Sequence, residues 1–492
     1  MSRAQPETAS ARIRARLDHP VIDCDAHLSE FLPSFVDYLR EEGGSDFVDG
    51  YLARQRDSVG RPRDLEHRRA RRWRRGHWWE RPTLHVEDAV TPYLPKLMYE
   101  RLDEFGIDFS VVYPSFGLLL DAIRDDEDRR IATRALNRMH AEHYNHAHGD
   151  RLHVPAVIPM KRPAEALDEL DHAVHELGFK VAMFPAGVWR PIQALYERFP
   201  GIEDWRPDGV WLDAYGTDSE YDYDPVWQRC VDLGVAATHH GVAAPGQPWG
   251  SRSISNWTFN HIGNQPWQQS MLCKSLYLGG VTRRFPELNF AFLECGVAWA
   301  CTLLSDTVSH WEKRNPEALA NVDPENLDRE AAAKLMLEYG GARFEGRSDE
   351  NPVCFPVEYD PPQPGENLDD FAAMQISRPE DLGELFRRFY FGCEADDRMN
   401  ATAFNTKVNR FGQRINAIFS SDIGHFDVPD MTRVVEEAYE LVSDGAMSPQ
   451  DFRDFSSDNT IRLHGQMNPD FWAGTSVADY ARGVLREQPR PS

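Results

Sequence analysis

Short apolar runs alternate with amphipathic segments along most of the chain. We count about eight runs, each too uniformly apolar to have a solvent-facing side, which is typical of strands buried on both faces. The first ends at residues 23–25, and the others lie around Val111, Val157, Met183, Ala237, Phe292, Phe391 and Phe419. Helical patterns fill most gaps, and one of them begins at Pro163 and stops at Gly178. This order predicts an α/β fold, a single (β/α)8 TIM barrel.

The chain is longer than such a barrel requires, and the excess lies in insertions. Its 492 residues suffice for one large barrel or for two ordinary domains. Three segments lack strand signals and follow strands 1, 4 and 6, at about residues 40–90, 186–224 and 315–385. Loops of this length are usually lids or binding surfaces. We therefore predict a barrel over residues 20–484. Disordered segments are expected at residues 1–19 and 485–492.

Ionisable side chains follow directly after several of these apolar runs. They are Asp25, His27, His239, His240, Glu294, Asp422 and His425. The carboxyl ends of the strands meet at one end of a barrel, so we expect these groups to lie close together. Burying ionisable groups without partners is costly, and imidazoles mixed with carboxylates are common metal ligands. The pattern therefore predicts a metalloenzyme.

Side-chain alternation decides which of these groups share a face. Asp25 and His27 are two residues apart, so they point to the same side of their strand. His239 and His240 are adjacent, so only one of them reaches the metal through this strand. His240, beside Gly241, is the expected ligand. His239 is then expected either to pack in the core or to contact the metal ligands without binding the metal.

Composition narrows the range of partners. The formal net charge of −25 and the pI near 5.1 argue against nucleic acid or an anionic membrane, since both would repel the chain. Seven scattered cysteines do not indicate a disulfide framework. No stretch approaches the roughly 20 apolar residues of a membrane span, and the start lacks a signal-peptide pattern. We expect a cytoplasmic protein.

Four segments carry a family resemblance: DCDAHLSE, MYERLDEFGIDFSVVYPS, MLCKSLYLGGVTRRFPELNFAFLECGVAWA and SSDIGHFDVPD. In this order they resemble the amidohydrolase-related metal-dependent barrels, the branch that contains aminocarboxymuconate-semialdehyde decarboxylase. The resemblance covers residues 20–465 apart from the insertions. It implies a barrel with metal at the carboxyl ends of its strands, and it also implies a homodimer.

Two positions depart from the pattern of that family. Asp25 stands where hydrolase and decarboxylase members carry the first histidine of His-x-His, and Glu294 stands where the decarboxylase type carries a histidine. Both carboxylates make the chain similar to the TIM-barrel non-heme diiron monooxygenases, which act largely on coenzyme A thioesters. This resemblance implies two iron ions (Fe²⁺), dioxygen and an external reductant. The implied reaction is hydroxylation of a small or terpenoid carboxylic acid, carried as its CoA thioester.

This resemblance also implies a set of site residues. The metal ligands would be Asp25, His27, His240, His261, Glu294 and Asp422. The catalytic side chains would be Glu294, His425 and His239. For His261, which lies in a loop, a helix-capping or solvent-exposed role is the alternative. The alternative function is a metal-dependent hydrolase or decarboxylase that uses one or two divalent ions, Zn²⁺ or Mn²⁺, and no oxygen.

A basic segment rich in tryptophan, RPRDLEHRRARRWRRGHWWERP, lies in the first insertion of this acidic chain. Guanidinium groups beside aromatic rings can hold phosphates and stack an adenine. Arg71, Arg72, Arg74 and Trp78 are therefore candidate contacts to a CoA-linked acyl substrate. The alternative is a solvated helix or a subunit contact.

Overall fold

Parallel strands close into a barrel at the centre of the molecule. The computed structural model describes residues 8–59, 64–79, 81–201, 209–241, 252–343, 345 and 365–487. In this part of the chain the strands are β1 (Ile22–Leu28), β2 (Phe109–Pro114), β3 (Leu152–His153), β4 (Ala156–Val157), β5 (Ala182–Pro185), β6 (Val188–Pro191), β7 (Val210–Asp213), β8 (Ala237–His240), β9 (Phe290–Phe292), β10 (Phe389–Glu394) and β11 (Asn416–Ser420).

The barrel strands pair in chain order. One sheet has the order β1-β2-β3, and a second has the order β4-β5-β8-β9-β10-β11. Residues 154 and 155 alone separate β3 from β4, so the two form one interrupted strand. The segment after β11 returns to β1, where the N–H of His27 donates to the carbonyl of Ile423 (2.7 Å) and the N–H of Asp422 to that of Asp25 (3.0 Å). Eight strands therefore close the barrel, as the sequence predicts.

Helices cover the outside of the barrel and follow most strands. The described helices are α1 (Ala9–Arg14), α2 (Leu32–Gly43), α3 (Ser45–Val59), α4 (Leu65–Arg71), α5 (Val86–Val90), α6 (Pro95–Phe105), α7 (Asp126–His140), α8 (His146–His148), α9 (Pro163–Asp171), α10 (Gln193–Arg198), α11 (Asp224–Leu233), α12 (Trp257–His261), α13 (Asn264–Leu278), α14 (Val281–Arg284), α15 (Ala298–Arg314), α16 (Arg329–Gly340), α17 (Pro379–Phe386), α18 (Val434–Ser443), α19 (Pro449–Arg453), α20 (Asn459–Gly465) and α21 (Ala478–Arg486). A π-helical turn extends α9 to Glu176, close to the predicted end of this helix. No described helix is long and apolar enough to cross a membrane.

The amino-terminal segment contains a helix where we expected disorder. The hydroxyl of Thr8 caps α1 by accepting a hydrogen bond from the N–H of Ala11 (3.0 Å). Arg14, in the last turn, forms an ion pair with Asp108. A polar cap and an ion pair hold this short helix, and an amphipathic pattern cannot reveal either of them. At the other end, α21 continues to Arg486.

The three insertions carry elements of their own. The first holds α3, α4 and α5, the second holds α10 and the antiparallel hairpin of β6 and β7, and the third holds α16. Parts of all three insertions, together with residues 1–7 and 488–492, lie outside the described residues. The expected boundaries of the barrel remain a prediction.

An irregularity in β1 turns two candidate site residues into the barrel. The pairing of β1 with β2 shifts between Asp23 and Ala26. Cys24 packs in the cluster that joins side chains of β2, β5, β9, β10 and β11, which is the interior, whereas Ala26 packs on the helix side. Strict alternation would place Ala26 inside and would point Asp25 and His27 at the helices. The shift reverses this, as bulges beside active sites commonly do.

Asp23 ties the last strand of the barrel to the first. Its buried carboxylate accepts hydrogen bonds from the N–H groups of Ser421 (2.9 Å) and Asp25 (3.2 Å) and from the hydroxyls of Ser421 (2.6 Å) and Ser110 (3.0 Å). Burial raises the pKa of Asp23 to about 6, although these hydrogen bonds oppose the shift. Because its donors neighbour Asp422 and include Asp25, Asp23 also positions two candidate site residues.

We predict that Asp23→Ala lowers the free energy of unfolding by about 2–5 kcal/mol, because several buried donors lose their acceptor. Urea denaturation followed by circular dichroism measures this loss. Asp37→Ala is the control, because it removes an exposed carboxylate that pairs with Arg40 on the same helix and should cost less than about 0.5 kcal/mol. Equal losses in the two variants would contradict the role given to Asp23.

Candidate metal centre

Asp25 and His27 bring an oxygen and a nitrogen together inside the barrel at the end of β1. Both side chains are buried, with at most 1% of their surface exposed. Nε2 of His27 lies 3.4 Å from Oδ1 of Asp25 and also 3.4 Å from Oδ1 of Asp422, which follows β11. The first and the last strand of the barrel therefore contribute to one centre.

His240 adds a second imidazole from the end of β8. Its Nε2 lies 3.3 Å from Nε2 of His27 and 3.7 Å from Oδ1 of Asp25. Its Nδ1 lies 2.9 Å from the carbonyl oxygen of Gly241, so the ring donates its Nδ1–H there. This hydrogen bond leaves the Nε2 lone pair free to face the centre, which is the usual arrangement of a metal-binding histidine.

Glu294 and Asp422 sit on strained turns at the ends of β9 and β11. Both have a φ of +52°, in the left-handed region that residues other than glycine seldom adopt. Such strain costs on the order of 1 kcal/mol for each residue and is concentrated at active sites. The turns aim both carboxylates into the barrel, where Oε2 of Glu294 lies 3.3 Å from Nε2 of His240.

The turn after β11 also carries His425. Its ring stacks on that of His27, with the centroids 3.5 Å apart, and its Nδ1 lies 2.7 Å from Oδ1 of Asp422. Gly424 makes the turn possible, because its φ is +97° and a Cβ there would lie 2.0 Å from the carbonyl oxygen of His27. The guanidinium of Arg81, from the first insertion, donates to the carbonyl of Gly424 and holds the turn from outside.

Three carboxylate oxygens at this centre lack a hydrogen-bond partner among the described residues. They are Oδ1 of Asp25, Oε2 of Glu294 and Oδ1 of Asp422. Buried carboxylates without partners are strongly unfavourable, and a cation removes that cost. The donor set, imidazole nitrogens with carboxylate oxygens, fits a divalent ion such as Mn²⁺ or Zn²⁺.

The donor atoms form two overlapping groups. In the described part of the chain they fall into two groups whose members lie within 4.8 Å of one another: Asp25, His27 and His240, and His27, Glu294, Asp422 and His425. His27 belongs to both groups and faces them with Nε2. An ion bound at this nitrogen would therefore lie between the two groups.

A cavity of about 310 Å³ opens onto this centre. Glu294 and His425 line it, together with Ser115 from the end of β2. Its outer wall comes from the first insertion, from α12 and from the turn after β11, and this wall includes Arg74, Arg75, His77, Trp257, His261, Phe426 and Asp427. The first insertion and the connection after β8 therefore shape the space in front of the candidate metal position.

His239 does not reach the centre, which corrects its expected catalytic role. It is adjacent to His240 and so faces the opposite side of β8, towards the helices. Its ring packs beside Phe184, Trp227 and Phe290, with centroids 5.5–6.2 Å away. Burial lowers its pKa to about 3, so the imidazole is neutral. His239 is a packing residue.

His261 lies outside both donor groups, which corrects its expected role as a ligand. It ends α12, a short helix in the connection after β8, and this position carries the ring to the cavity wall. There it stacks on Trp257 (4.3 Å between centroids), and its Nε2 lies 3.6 Å from Oδ2 of Asp427.

The basic segment meets the cavity in only part of its length. Arg74 lines the cavity, whereas Arg72 is exposed on the surface. Trp78 is 80% exposed, and its ring contacts Trp79. The side chain of Arg71 lies outside the described residues. Of the arginines in this segment, Arg74 and Arg75 line the cavity.

A comparison with family models identifies the family of this chain. The model described as amidohydrolase matches residues 22–323. The chain belongs to the amidohydrolase family. No curated protein matches it.

Solved structures similar to this chain include two decarboxylases. A 2,6-dihydroxybenzoate decarboxylase from Rhizobium is 15% identical with a TM-score of 0.51, and the match covers 91% of this chain and 98% of that one. A dihydroxybenzoic acid decarboxylase from Polaromonas sp. JS666, solved with bound manganese and the inhibitor 2-nitroresorcinol, is 15% identical with a TM-score of 0.51, covering 91% and 97%. An amidohydrolase from Mycobacterium avium subsp. paratuberculosis K-10 is 17% identical with a TM-score of 0.52, covering 91% and 98%. At these identities the likeness shows the fold.

The prediction of a diiron monooxygenase is wrong. The amidohydrolase family model and the decarboxylases of similar fold match the alternative, a metal-dependent hydrolase or decarboxylase. The comparisons also give no support for the cofactors and partners that this prediction implied, which were two iron ions, dioxygen, an external reductant and a CoA thioester. The physical reason lies in the ligands: the carboxylates of Asp25 and Glu294 suggested iron, but hard oxygen ligands beside imidazoles suit Mn²⁺ and Zn²⁺ as well.

Two residues near the candidate centre, Glu394 and Arg81, were missed by the sequence analysis. Glu394 ends β10, and burial together with Asp396 raises its pKa to about 7. Its charge in turn raises the pKa of Glu294 and Asp422. A carboxylate directly after an apolar run is the same signal that revealed Glu294, so Glu394 could have been found. Arg81 lies in an insertion and has no such signal.

Burial and mutual repulsion set the protonation of the metal-free centre. The pKa values of Asp25, Glu294 and Asp422 lie well above the usual range, first because of burial and then because of neighbouring carboxylates. Burial lowers the pKa of His27 far below 6.5 and that of His240 to about 4. Without a cation these carboxyl groups therefore hold their protons to a higher pH than free carboxyl groups do, and a bound cation displaces protons from the groups that ligate it.

We predict that the gain in melting temperature on adding Mn²⁺ grows as the pH rises from about 6.5 to 8.5. In the metal-free fold the carboxyl pKa values exceed their unfolded values, so the folded state holds more protons and loses stability as the pH rises. The buried histidines act in the opposite direction only below about pH 6.5, where the unfolded state takes up their protons. Differential scanning calorimetry of metal-free and Mn²⁺-loaded protein measures the gain.

The same series on Asp422→Asn is the control, because this variant has one titrating carboxyl group fewer and should show a smaller rise with pH. A gain that stays constant or shrinks with rising pH in the unmodified protein is the contrary result.

Proposed function

We propose that this member of the amidohydrolase family is a metal-dependent decarboxylase of a small aromatic carboxylic acid. The observation that carries the proposal is the single donor set, which lies behind a cavity with a basic and aromatic wall. Asp25, His27, His240 and Asp422 would hold one divalent ion, Mn²⁺ or Zn²⁺. The dihydroxybenzoic acid decarboxylases of similar fold, one with bound manganese, support this choice.

The cavity wall suits an anionic, planar ligand. Arg74 and Arg75 supply guanidinium groups that pair with carboxylates. Trp257 and Phe426 supply aromatic faces, with their rings 5.7 Å apart in an edge-to-face arrangement. The volume of about 310 Å³ is near the lower end for small-molecule sites, and a single-ring acid fits it.

Decarboxylation requires one proton at the carbon that loses CO₂. The bond between that carbon and the carboxylate breaks, CO₂ leaves, and the electron pair that stays on the carbon takes up the proton. When bound, the ion supplies a Lewis acid for the oxygens of the substrate. We assign the proton to Oε2 of Glu294, because this carboxyl lines the cavity and burial raises its pKa well above its usual range. Solvent in the cavity then returns a proton to Glu294.

We predict that Glu294→Gln lowers kcat by about 10²–10⁴-fold, which is the usual contribution of a general acid. Glutamine keeps the size of the side chain but has no proton to transfer, so metal content should remain that of the unmodified protein. The assay measures CO₂ release from a panel of hydroxybenzoic acids, including 2,6-dihydroxybenzoate, by Mn²⁺-loaded protein. Glu287→Gln, in the exposed connection before β9, is the control and should keep full activity. Full activity in Glu294→Gln would rule out its role as the acid.

We predict that Arg74→Gln raises KM about 10-fold with little change in kcat, because it removes a charge-assisted hydrogen bond to the substrate at the partly exposed mouth of the cavity. Steady-state kinetics on the best acid of the panel gives both constants. Arg72→Gln is the matched control, since Arg72 is exposed and does not line the cavity. Equal values of KM in the two variants would show that the arginine wall does not bind the substrate.

A further inference from the structure

Ser115 joins the end of β2 to the candidate metal centre. Its Oγ lies 2.7 Å from the carbonyl oxygen of Leu28, at the end of β1, and 3.4 Å from Nε2 of His425. Both Ser115 and His425 line the cavity. The hydroxyl therefore stands between a strand end and the imidazole that stacks on His27.

The hydrogen bond from Ser115 to Leu28 determines whether Ser115 or His425 is the donor in the contact between them. A serine hydroxyl has one proton and two lone pairs, and a carbonyl oxygen can only accept. The proton of Ser115 therefore points to Leu28, and only lone pairs remain for His425. In the contact with Nε2 the imidazole must be the donor, so the ring carries its hydrogen on Nε2.

The other ring nitrogen of His425 then presents a lone pair to the centre. In a neutral imidazole with a hydrogen on Nε2, Nδ1 is an acceptor. Nδ1 lies 2.7 Å from Oδ1 of Asp422, yet this oxygen has no hydrogen-bond partner among the described residues. In the metal-free centre a proton on Asp422 can fill this contact, but once a cation displaces that proton both atoms present lone pairs, and the cation must lie in front of both. The contact is the spacing expected of two neighbouring ligands of one ion.

We propose that Ser115 is a positioning residue of the metal centre. By accepting a hydrogen bond from Nε2–H of His425, it turns Nδ1 of His425 towards the cation as a further ligand. The inference rests on the proposed metal-dependent function, but it concerns metal binding and needs no substrate. Hydrogen bonds of this kind to the second nitrogen of a ligating histidine fix its tautomer and orientation.

The test measures the dissociation constant for Mn²⁺ by isothermal titration calorimetry on metal-stripped, full-length protein. Ser115→Ala should weaken binding by about 10-fold or more, which is the usual loss when such a partner is removed. Ser115→Thr keeps the hydroxyl and should bind like the unmodified protein. Ser29→Ala is the matched control, because Ser29 also follows β1 and its buried hydroxyl has no partner in the described part of the chain. Unchanged affinity in Ser115→Ala overturns the proposal, as does an equal loss in Ser115→Thr.

A second measurement covers the case in which Ser115→Ala does not fold. A crystal structure of the unmodified protein loaded with Mn²⁺ should show Nδ1 of His425 bound to the ion and Nε2 directed at Ser115. A ring bound through Nε2, or turned away from the ion, overturns the proposal while leaving the decarboxylase function intact. If the unmodified protein binds neither Mn²⁺ nor Zn²⁺, the proposed function fails as well.

Discussion

The structure depends on the burial of three carboxylates at one end of a barrel with no hydrogen bond for one oxygen of each. Asp25, Glu294 and Asp422 lie close to one another, and burial together with mutual repulsion raises their pKa values. Removing an isolated carboxylate from water costs several kcal/mol even after the protein relaxes. The fold tolerates the arrangement because protons, or a cation, neutralise it.

Other features of the fold serve to hold these carboxylates in place. The shift in β1 turns Asp25 inward, and the left-handed turns at the ends of β9 and β11 direct Glu294 and Asp422. Asp23 closes the barrel behind them, and Arg81 clamps the turn after β11 from outside. Each feature has a local energetic cost or uses a buried polar group. The features that position the carboxylates therefore lower the stability of the metal-free protein. The proposed metal binding would offset this cost, because the binding energy is gained only by the folded chain.

The sequence predicts the barrel and most of the donor set because both follow from local rules. Apolar runs mark the strands, and a polar group at the end of a run marks the site, which suffices for Asp25, His27, His240 and Asp422. The alternation of side chains along a strand is also a local rule, and it predicts that only one of His239 and His240 faces the site. The rules fail where the outcome depends on distant segments: His261 follows the path of an inserted helix, and Ser115 gains its role from a contact with a residue 310 positions away. They also fail for metal identity, since carboxylates at Asp25 and Glu294 are compatible with several ions.

The number of metal ions per chain is the measurement that tests this account most directly. Elemental analysis of the full-length protein, expressed with manganese, zinc and iron all supplied, should find one divalent ion per chain. Anomalous scattering from crystals of the same sample should place that ion between His27, His240 and Asp422. Two ions per chain, or one ion bound elsewhere, would contradict the single centre from which the proposed chemistry is derived.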